Sequence, residues 1–373
     1  MKKVLINVGV SAPSLAKGGY ISGIGKSIYW LMESIKKIPK NEMPFEIEMY
    51  ASGIKSLGFN YHGWNYPKHT VPFPQTLSFK SEKNLPCLWR NLMLEYDLFH
   101  ITDIVDCVMP NEPIVSTFHD LDAYLKTEDS NLKKKYLNVA QQCRRIACCS
   151  NYSKQDVVDL LNIDPDKIDV IYWGCDRNIF KVVPQETIDM VLLKYNISQP
   201  YFFSCSCSNP RKNIETALRA FKKFLTYNPK HIFVIAWSNP SPLILKEFAE
   251  EINNKKIVFL PHTTDDDLAT LYNGASLSVY VTRREGFGFP ILESFACRTP
   301  IMTCRNTSLV EVGQDAAIYV GEDDVDEMVD IMLAFERSTF DVESFAVRVR
   351  DILSQFTWEK CSYDYIDFYN RSL

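Results

Sequence analysis

Two carboxylates eight residues apart bracket a glycine-rich turn in Glu285-Gly286-Phe287-Gly288-Phe289-Pro290-Ile291-Leu292-Glu293. Pro290 opens an apolar run, and proline suits the first turn of a helix, where its missing N–H costs nothing. A loop entering a helix there aims free backbone N–H groups at whatever precedes it, which makes an anion site. Gly286 and Gly288 let the backbone approach a ligand closely, and Glu285 and Glu293 offer acceptors to sugar hydroxyls. A second cluster, Asn209-Pro210-Arg211-Lys212-Asn213, places two adjacent cations before a helix starting at Ile214. Cations at a helix start oppose its dipole unless an anion is present; a diphosphate supplies one. Alone, the cluster reads equally as a solvated charge pair behind an Asn cap. Together with the Glu285–Glu293 segment it favours phosphate.

Three further stretches carry chemistry of lower specificity. In Ser116-Thr117-Phe118-His119-Asp120-Leu121-Asp122, His119 ends a strand, where it can hydrogen-bond a sugar hydroxyl or phosphate. His100, at another strand end, is read as structural. Gly18-Gly19-Tyr20-Ile21-Ser22-Gly23-Ile24-Gly25-Lys26-Ser27 follows the first strand. It fails as a nucleotide-binding P-loop, because Tyr20 stands where a glycine is needed, and as a dinucleotide fingerprint, because residue 28 is Ile. It is read as a flexible loop in which Gly23, Ile24 and Gly25 turn N–H groups toward phosphate or sugar. Asp265-Asp266-Asp267 is read as an acidic first helical turn rather than a metal site, and no other His/Cys/Asp grouping has ligand spacing.

The elements that must position these residues alternate. Strand patterns run Lys3–Val8, Phe45–Tyr50, Leu98–Ile101, Ile114–Phe118, Arg145–Cys149 and Ile168–Ile171, then Tyr201–Cys205, Ile232–Ala236, Lys256–Leu260, Leu277–Val281, Pro300–Thr303 and Ala317–Tyr319. Helical patterns such as Asn213–Tyr227 and Asp265–Asn273 intervene. This βα alternation predicts parallel sheets covered by helices. Two such halves predict an α/β chain of two Rossmann-like domains whose strand ends face a shared cleft. The boundary is expected near Gly174–Pro184, giving residues 1–178 and 179–356. Gly53–Lys83, rich in Gly, Pro, His and aromatics, fits no element; it is read as a loop near an acceptor or a plain connection.

A length of 373 residues fits about two domains. A net charge of −5 argues against broad nucleic-acid binding. The first apolar run, Val4 to Val8, is short for a signal peptide, and no run approaches the ~20 residues of a membrane span. Eleven cysteines without an export signal read as reduced thiols in a cytoplasmic protein, including the Cys205-Ser206-Cys207 run. Tyr29, Trp30 and Leu31 beside Lys36 and Lys37 leave peripheral contact with the inner membrane surface open, although a helix packed on its sheet is the plainer reading.

Taken together these stretches resemble the retaining glycosyltransferase family 4, of GT-B fold, over nearly the whole chain. Glu285–Glu293 resembles the family's E-x-F-G-x-x-x-x-E signature, Asn209–Asn213 its P-R-K-N segment, and Phe118-His119-Asp120 its strand-end H-D. Ser150-Asn151-Tyr152-Ser153-Lys154-Gln155-Asp156 resembles its S-x-x-S-x-x-D helix entry, and Ile171–Asp176 loosely its hinge. Phe356-Thr357-Trp358-Glu359-Lys360 resembles its F-S-W-E-K, after which the family's last helix, here 357–373, crosses back to the N-terminal domain.

The resemblance implies a metal-independent, retaining hexosyltransferase with no cofactor beyond a nucleotide-diphosphate sugar, GDP-mannose or a UDP-sugar. The acceptor would be a glycan or lipid-linked hydroxyl, in surface polysaccharide or glycoconjugate synthesis. It assigns Arg211 and Lys212 to the diphosphate, Glu293 to the ribose, Glu285 to the sugar, Gly286, Phe287, Gly288 and Phe289 to sugar and phosphate through backbone N–H groups, and His119 to the sugar. Gly23–Gly25 would close over the phosphate, and the backbone near Pro261 and His262 would meet the nucleotide base. The chain departs from many relatives in having Ser206 and Cys207 where they carry Gly and then Arg or Thr, with Ser206 still placed at the donor. It also has Thr282, Arg283 and Arg284 before Glu285, adding positive charge there. The alternatives are a nucleotide-sugar epimerase of the same fold and a non-catalytic subunit that binds nucleotide or glycan.

Overall fold

The computed structural model describes residues 1–9, 23–52, 64–71, 95–104, 113–206, 209–261, 263–337 and 340–373. The chain forms two compact units, Met1–Gly174 with Trp358–Leu373, and Cys175–Thr357. The first break thus follows Gly174 rather than residue 178, and the return begins at Trp358 rather than 357.

The first unit is built on strands β1 (Lys3–Asn7), β2 (Glu46–Ser52), β3 (Lys68–Val71), β4 (Leu98–Ile101), β5 (Ile114–Phe118), β6 (Ile146–Cys148) and β7 (Ile168–Val170). They lie in the order β3-β2-β1-β4-β5-β6-β7, every neighbouring pair parallel. The chain steps outward from β1 in one direction, then returns to its other side with β4. That reversal opens a crevice beyond the carboxyl ends of β1 and β4. β1, β4 and β5 read as unbroken apolar runs because helices cover both faces, and Val4, Ile6, Leu98 and Ile101 are fully buried. β3 lies inside the stretch that fitted no element: four residues of edge strand are too short for a period to show.

The C-terminal helix, Trp358–Ser372, packs in this same unit. Ser34 Oγ donates to Trp358 O at 2.8 Å. His100 is fully buried, its Nδ1 2.7 Å from Tyr369 Oη and its Nε2 2.9 Å from Thr117 Oγ1, which in turn meets Tyr365 Oη at 2.8 Å. His100 is therefore a polar pin between sheet and last helix.

Leu31 does not share a surface stripe with Tyr29 and Trp30: it is 3% exposed. Tyr29 packs edge-on to Trp30 and against the buried Trp64, with ring centres 4.9 and 5.7 Å apart. No helix among the described residues is long and apolar enough to cross a membrane.

The second unit repeats the plan with β8 (Tyr201–Cys205), β9 (Ile232–Ala236), β10 (Ile257–Leu260), β11 (Leu277–Tyr280), β12 (Ile301–Cys304) and β13 (Ile318–Val320). The order is β10-β9-β8-β11-β12-β13, again all parallel. Its reversal falls between β8 and β11.

In the acidic turn at Asp265, Thr264 caps the helix by accepting from Asp267 N at 3.1 Å. Asp267 is buried and pairs with Lys194 at 2.5 Å and with the Tyr195 hydroxyl at 2.7 Å. No group of His, Cys, Asp or Glu that could hold a metal occurs among the described residues. The eight described cysteines are free thiols, seven of them buried.

Candidate active site

The reversal point of the second unit gathers Arg211, Lys212 and Glu285. After β8 the chain makes a single tight turn, Pro210–Lys212, capped by Asn209 Oδ1, which accepts from Arg211 N at 3.1 Å. The turn ends at Asn213, whose left-handed φ of 54° lets its side chain reach across the sheet end. Its Nδ2 donates to Val281 O at 3.0 Å and Glu322 O at 2.7 Å, and its Oδ1 accepts from Thr216 Oγ1 at 2.7 Å. The two cations are thus tied to the strand that precedes Glu285. They stand on a tight turn before the Ile214–Phe224 helix, not within its first turn.

Lys212 Nζ donates to Glu285 Oε1 at 2.7 Å and to Tyr280 Oη at 3.1 Å. Arg211 Nη2 lies 3.7 Å from Glu285 Oε2. The Thr282 hydroxyl lies 2.7 Å from Arg211 O and 3.0 Å from Glu285 Oε1, with one proton to share. Glu285 is 6% exposed, so its charge is held by these neighbours and not by bulk water. Tyr280 ends β11 and is buried; burial first, then the charge of Glu285, pushes its phenol well above the ordinary range.

The turn after Glu285 is held from below. Ser308 Oγ lies 2.9 Å from Glu285 O and 2.8 Å from Phe287 O. Gly288 stands before the Phe289–Ala296 helix with a φ of 109°, a backbone that side chains rarely adopt, and a Cβ there would meet Leu309 Cδ2 at 3.0 Å. The Phe287 ring is buried and packs on Phe289 and Phe356, with centres 5.3 and 5.9 Å apart. It therefore anchors the turn. Glu293 lies on the same short helix, 8% exposed, and accepts from Tyr272 Oη at 3.4 Å.

In the first unit, His119 follows β5. Its Nε2 lies 2.6 Å from Thr102 O, and a carbonyl only accepts, so Nε2 carries the proton and Nδ1 is the acceptor of a neutral ring. Nδ1 is buried and has no hydrogen-bond partner among the described residues. Burial lowers the imidazole pKa; the charge of Asp103, the Thr102 hydrogen bond and the charge of Asp120 oppose that. The S-x-x-S entry explains itself here. Ser150 caps the Asn151–Leu161 helix by accepting from Ser153 N at 3.0 Å, and Ser153 Oγ donates to His119 O at 2.9 Å.

Other expected residues fall elsewhere. Gly23, Ile24 and Gly25 are not loop: they form the first turn of the Gly23–Ile35 helix. A helix start tolerates glycine better than a helix interior does. Residues 18–22 lie outside the described residues, as does His262. Pro261 follows β10, the edge strand, two strands removed from β8. Ser206 N donates to Ala236 O at 3.4 Å, and its hydroxyl has no partner among the described residues. Arg283 adds no charge to the cluster, because its guanidinium is 3.2 Å from Glu322 and 3.0 Å from Asp323.

Sequence reading passed over Tyr280, Ser308 and Tyr272, and named Thr282 and Asn213 without the contacts they make. Tyr280 and Tyr272 lie in apolar patterns that look like core. Asn213 was legible as part of P-R-K-N, but its bond across the sheet was not.

Two family models match the chain: that described as Glycosyltransferase Family 4 over residues 42–178, and that described as Glycosyl transferases group 1 over residues 193–346. The chain belongs to glycosyltransferase family 4. Among curated relatives, the O-antigen chain mannosyltransferase B of Escherichia coli is 27% identical over 271 residues, covering 69% of this chain and 70% of the relative. The serotype-specific mannosyltransferase WbdA of Escherichia coli is 28% identical over 278 residues, and there the match spans only 33% of the relative's length. Among solved structures, Anabaena HepE in complex with UDP-glucose superposes with a TM-score of 0.75 at 16% identity, over 100% of both chains. The sucrose-phosphate synthase of Thermosynechococcus elongatus gives 0.73 at 14% identity, over 100% of this chain and 99% of the other. At such identities the likeness speaks for the fold, and the family 4 chain has the GT-B architecture of two Rossmann-like units.

Proposed function

We propose that this family 4 chain is a retaining, metal-independent hexosyltransferase that takes its sugar from a nucleotide-diphosphate sugar. The observation that carries this is the Arg211–Lys212–Glu285 cluster at the β8/β11 reversal point, where the fold binds ligands. The similarity to O-antigen mannosyltransferases favours mannose from GDP-mannose; a UDP-sugar is the next choice, since HepE was solved with UDP-glucose. The acceptor class that fits these relatives is the hydroxyl of a glycan or lipid-linked saccharide, in surface polysaccharide synthesis at the cytoplasmic face of a membrane.

In the reaction so assigned, the bond from the sugar's anomeric carbon to the diphosphate oxygen breaks. The acceptor oxygen bonds to that carbon on the same face, and its proton passes to the leaving phosphate oxygen. Negative charge grows on the diphosphate as the bond breaks. Arg211, Lys212 and the backbone N–H groups after Glu285 are assigned to stabilise it, work a divalent metal does in other transferases. Glu285 is assigned to the sugar and Glu293 to the ribose. His119, a neutral acceptor at Nδ1, is assigned to receive a hydrogen bond from a sugar hydroxyl.

A thermal-shift screen of GDP-, UDP-, dTDP- and ADP-sugars tests the donor assignment. A ligand that binds only the native state raises the melting temperature by mass action. One base series is expected to raise it in the wild type and to raise it much less in Lys212→Ala. No shift with any nucleotide sugar would sink the assignment.

A further inference from the structure

Resting on the donor-site reading above, we propose that Tyr280 is a positioning residue that aims the third N–H of Lys212 at the diphosphate. An ammonium has three N–H groups. One is spent on Glu285 Oε1 at 2.7 Å and a second on Tyr280 Oη at 3.1 Å. With two corners of the ammonium fixed, the direction of the third is fixed too. The centre of the Tyr280 ring is 5.1 Å from Nζ, so the cation sits off the phenol oxygen and not over the ring face.

Tyr280 itself cannot drift. It is 5% exposed, pairs with Thr303 across the sheet, and its carbonyl accepts from Thr303 Oγ1 at 2.8 Å. The charge of Glu285, added to burial, helps the phenol keep its proton. Lys212 therefore bridges two fixed side chains, donating to Tyr280 and to Glu285. Removing the phenol hydroxyl takes away one of these two anchors. The ammonium is then left to swing on Glu285 alone, and its third N–H loses its direction.

The test is calorimetric titration of GDP and of UDP into wild type, Tyr280→Phe, Lys212→Ala and the double variant, with urea unfolding of each as a control. Phenylalanine keeps the ring and its packing. For the nucleotide that wild type binds, Tyr280→Phe is expected to weaken affinity about tenfold, the size of one hydrogen bond to a charged group, with the urea midpoint unmoved. In the Lys212→Ala background the same substitution is expected to cost nothing further, because Tyr280 acts only through Lys212. Wild-type affinity in Tyr280→Phe, or an undiminished loss on top of Lys212→Ala, overturns the positioning role while leaving the donor site standing. Wild type binding neither nucleotide, or Lys212→Ala binding as well as wild type, overturns the donor-site reading and this proposal with it.

Discussion

Lys212 and Glu285, 73 residues apart in sequence, hold each other at 2.7 Å where β8 and β11 end. Without a ligand, the carboxylate occupies the cations that a diphosphate would engage. Its replacement therefore has a defined consequence. Glu285→Gln removes the carboxylate charge beside Lys212 and Arg211 and should cost about 2 kcal/mol, less than the ~3–5 kcal/mol for breaking a fully buried pair because Lys212 is partly exposed. Added inorganic diphosphate should restore much of that loss. Urea unfolding with and without diphosphate reads both effects, and a variant as stable as wild type in plain buffer would show that the pair does not hold the turn together.

Gly288→Ala should destabilise the second unit by about 1–2 kcal/mol, from the left-handed backbone alone. The added methyl would also press on Leu309 Cδ2. The turn carries the N–H groups assigned to the phosphate, so nucleotide affinity should fall in parallel. Chemical unfolding and nucleotide titration check the two; a stable variant with unchanged affinity would contradict the account of this turn.

Ser153→Ala removes the hydroxyl that donates to His119 O and should cost about 1 kcal/mol. Donor turnover should fall by a few-fold through a loosened His119, less than in His119→Ala. Equal loss in the two variants would mean that Ser153 does more than hold the backbone.

His100 predicts a pH dependence. Burial, reinforced by the proximity of His119, lowers its pKa to about 3. An unfolded chain protonates its imidazole below about pH 6.5, while the folded one does not until near pH 3, so the unfolded state binds the extra proton throughout that window. Stability supplied by the neutral ring is complete above pH 6.5 and is lost as the pH falls toward 3, at up to about 1.4 kcal/mol per pH unit from this group. His100→Asn, though less stable at pH 7, should show a shallower fall in unfolding free energy between pH 6.5 and 4. Parallel curves for the two proteins would remove His100 as the cause.

What the sequence disclosed follows from what is local. β8 as Tyr201–Cys205 and β11 ending near Tyr280 were readable because buried parallel strands are unbroken apolar runs. The Glu285–Glu293 turn was readable because glycine and proline report backbone shape directly. Contacts made by folding were not. The Lys212 bonds to Glu285 and Tyr280, the Asn213 bonds across the sheet end and the Ser153 bond to His119 each join separate elements. Gly23–Gly25 read as loop because glycine is a poor helix former, yet a helix start is the place where that costs least. Arg283 looked available for the donor until its partners, Glu322 and Asp323, arrived from beyond β13.

The central claim is that Lys212, held by Glu285, serves the diphosphate of a sugar donor. The direct measurement is a proton NMR time course of donor breakdown. It uses the nucleotide sugar that most raises the melting temperature, with wild type and Lys212→Ala matched for folded protein. The account predicts slow release of sugar and nucleoside diphosphate by wild type, with the first-formed sugar in the donor's own anomeric configuration, and a rate at least about a hundredfold lower for Lys212→Ala, the loss of one charge-stabilising group at the leaving diphosphate. Equal rates in the two proteins would contradict it.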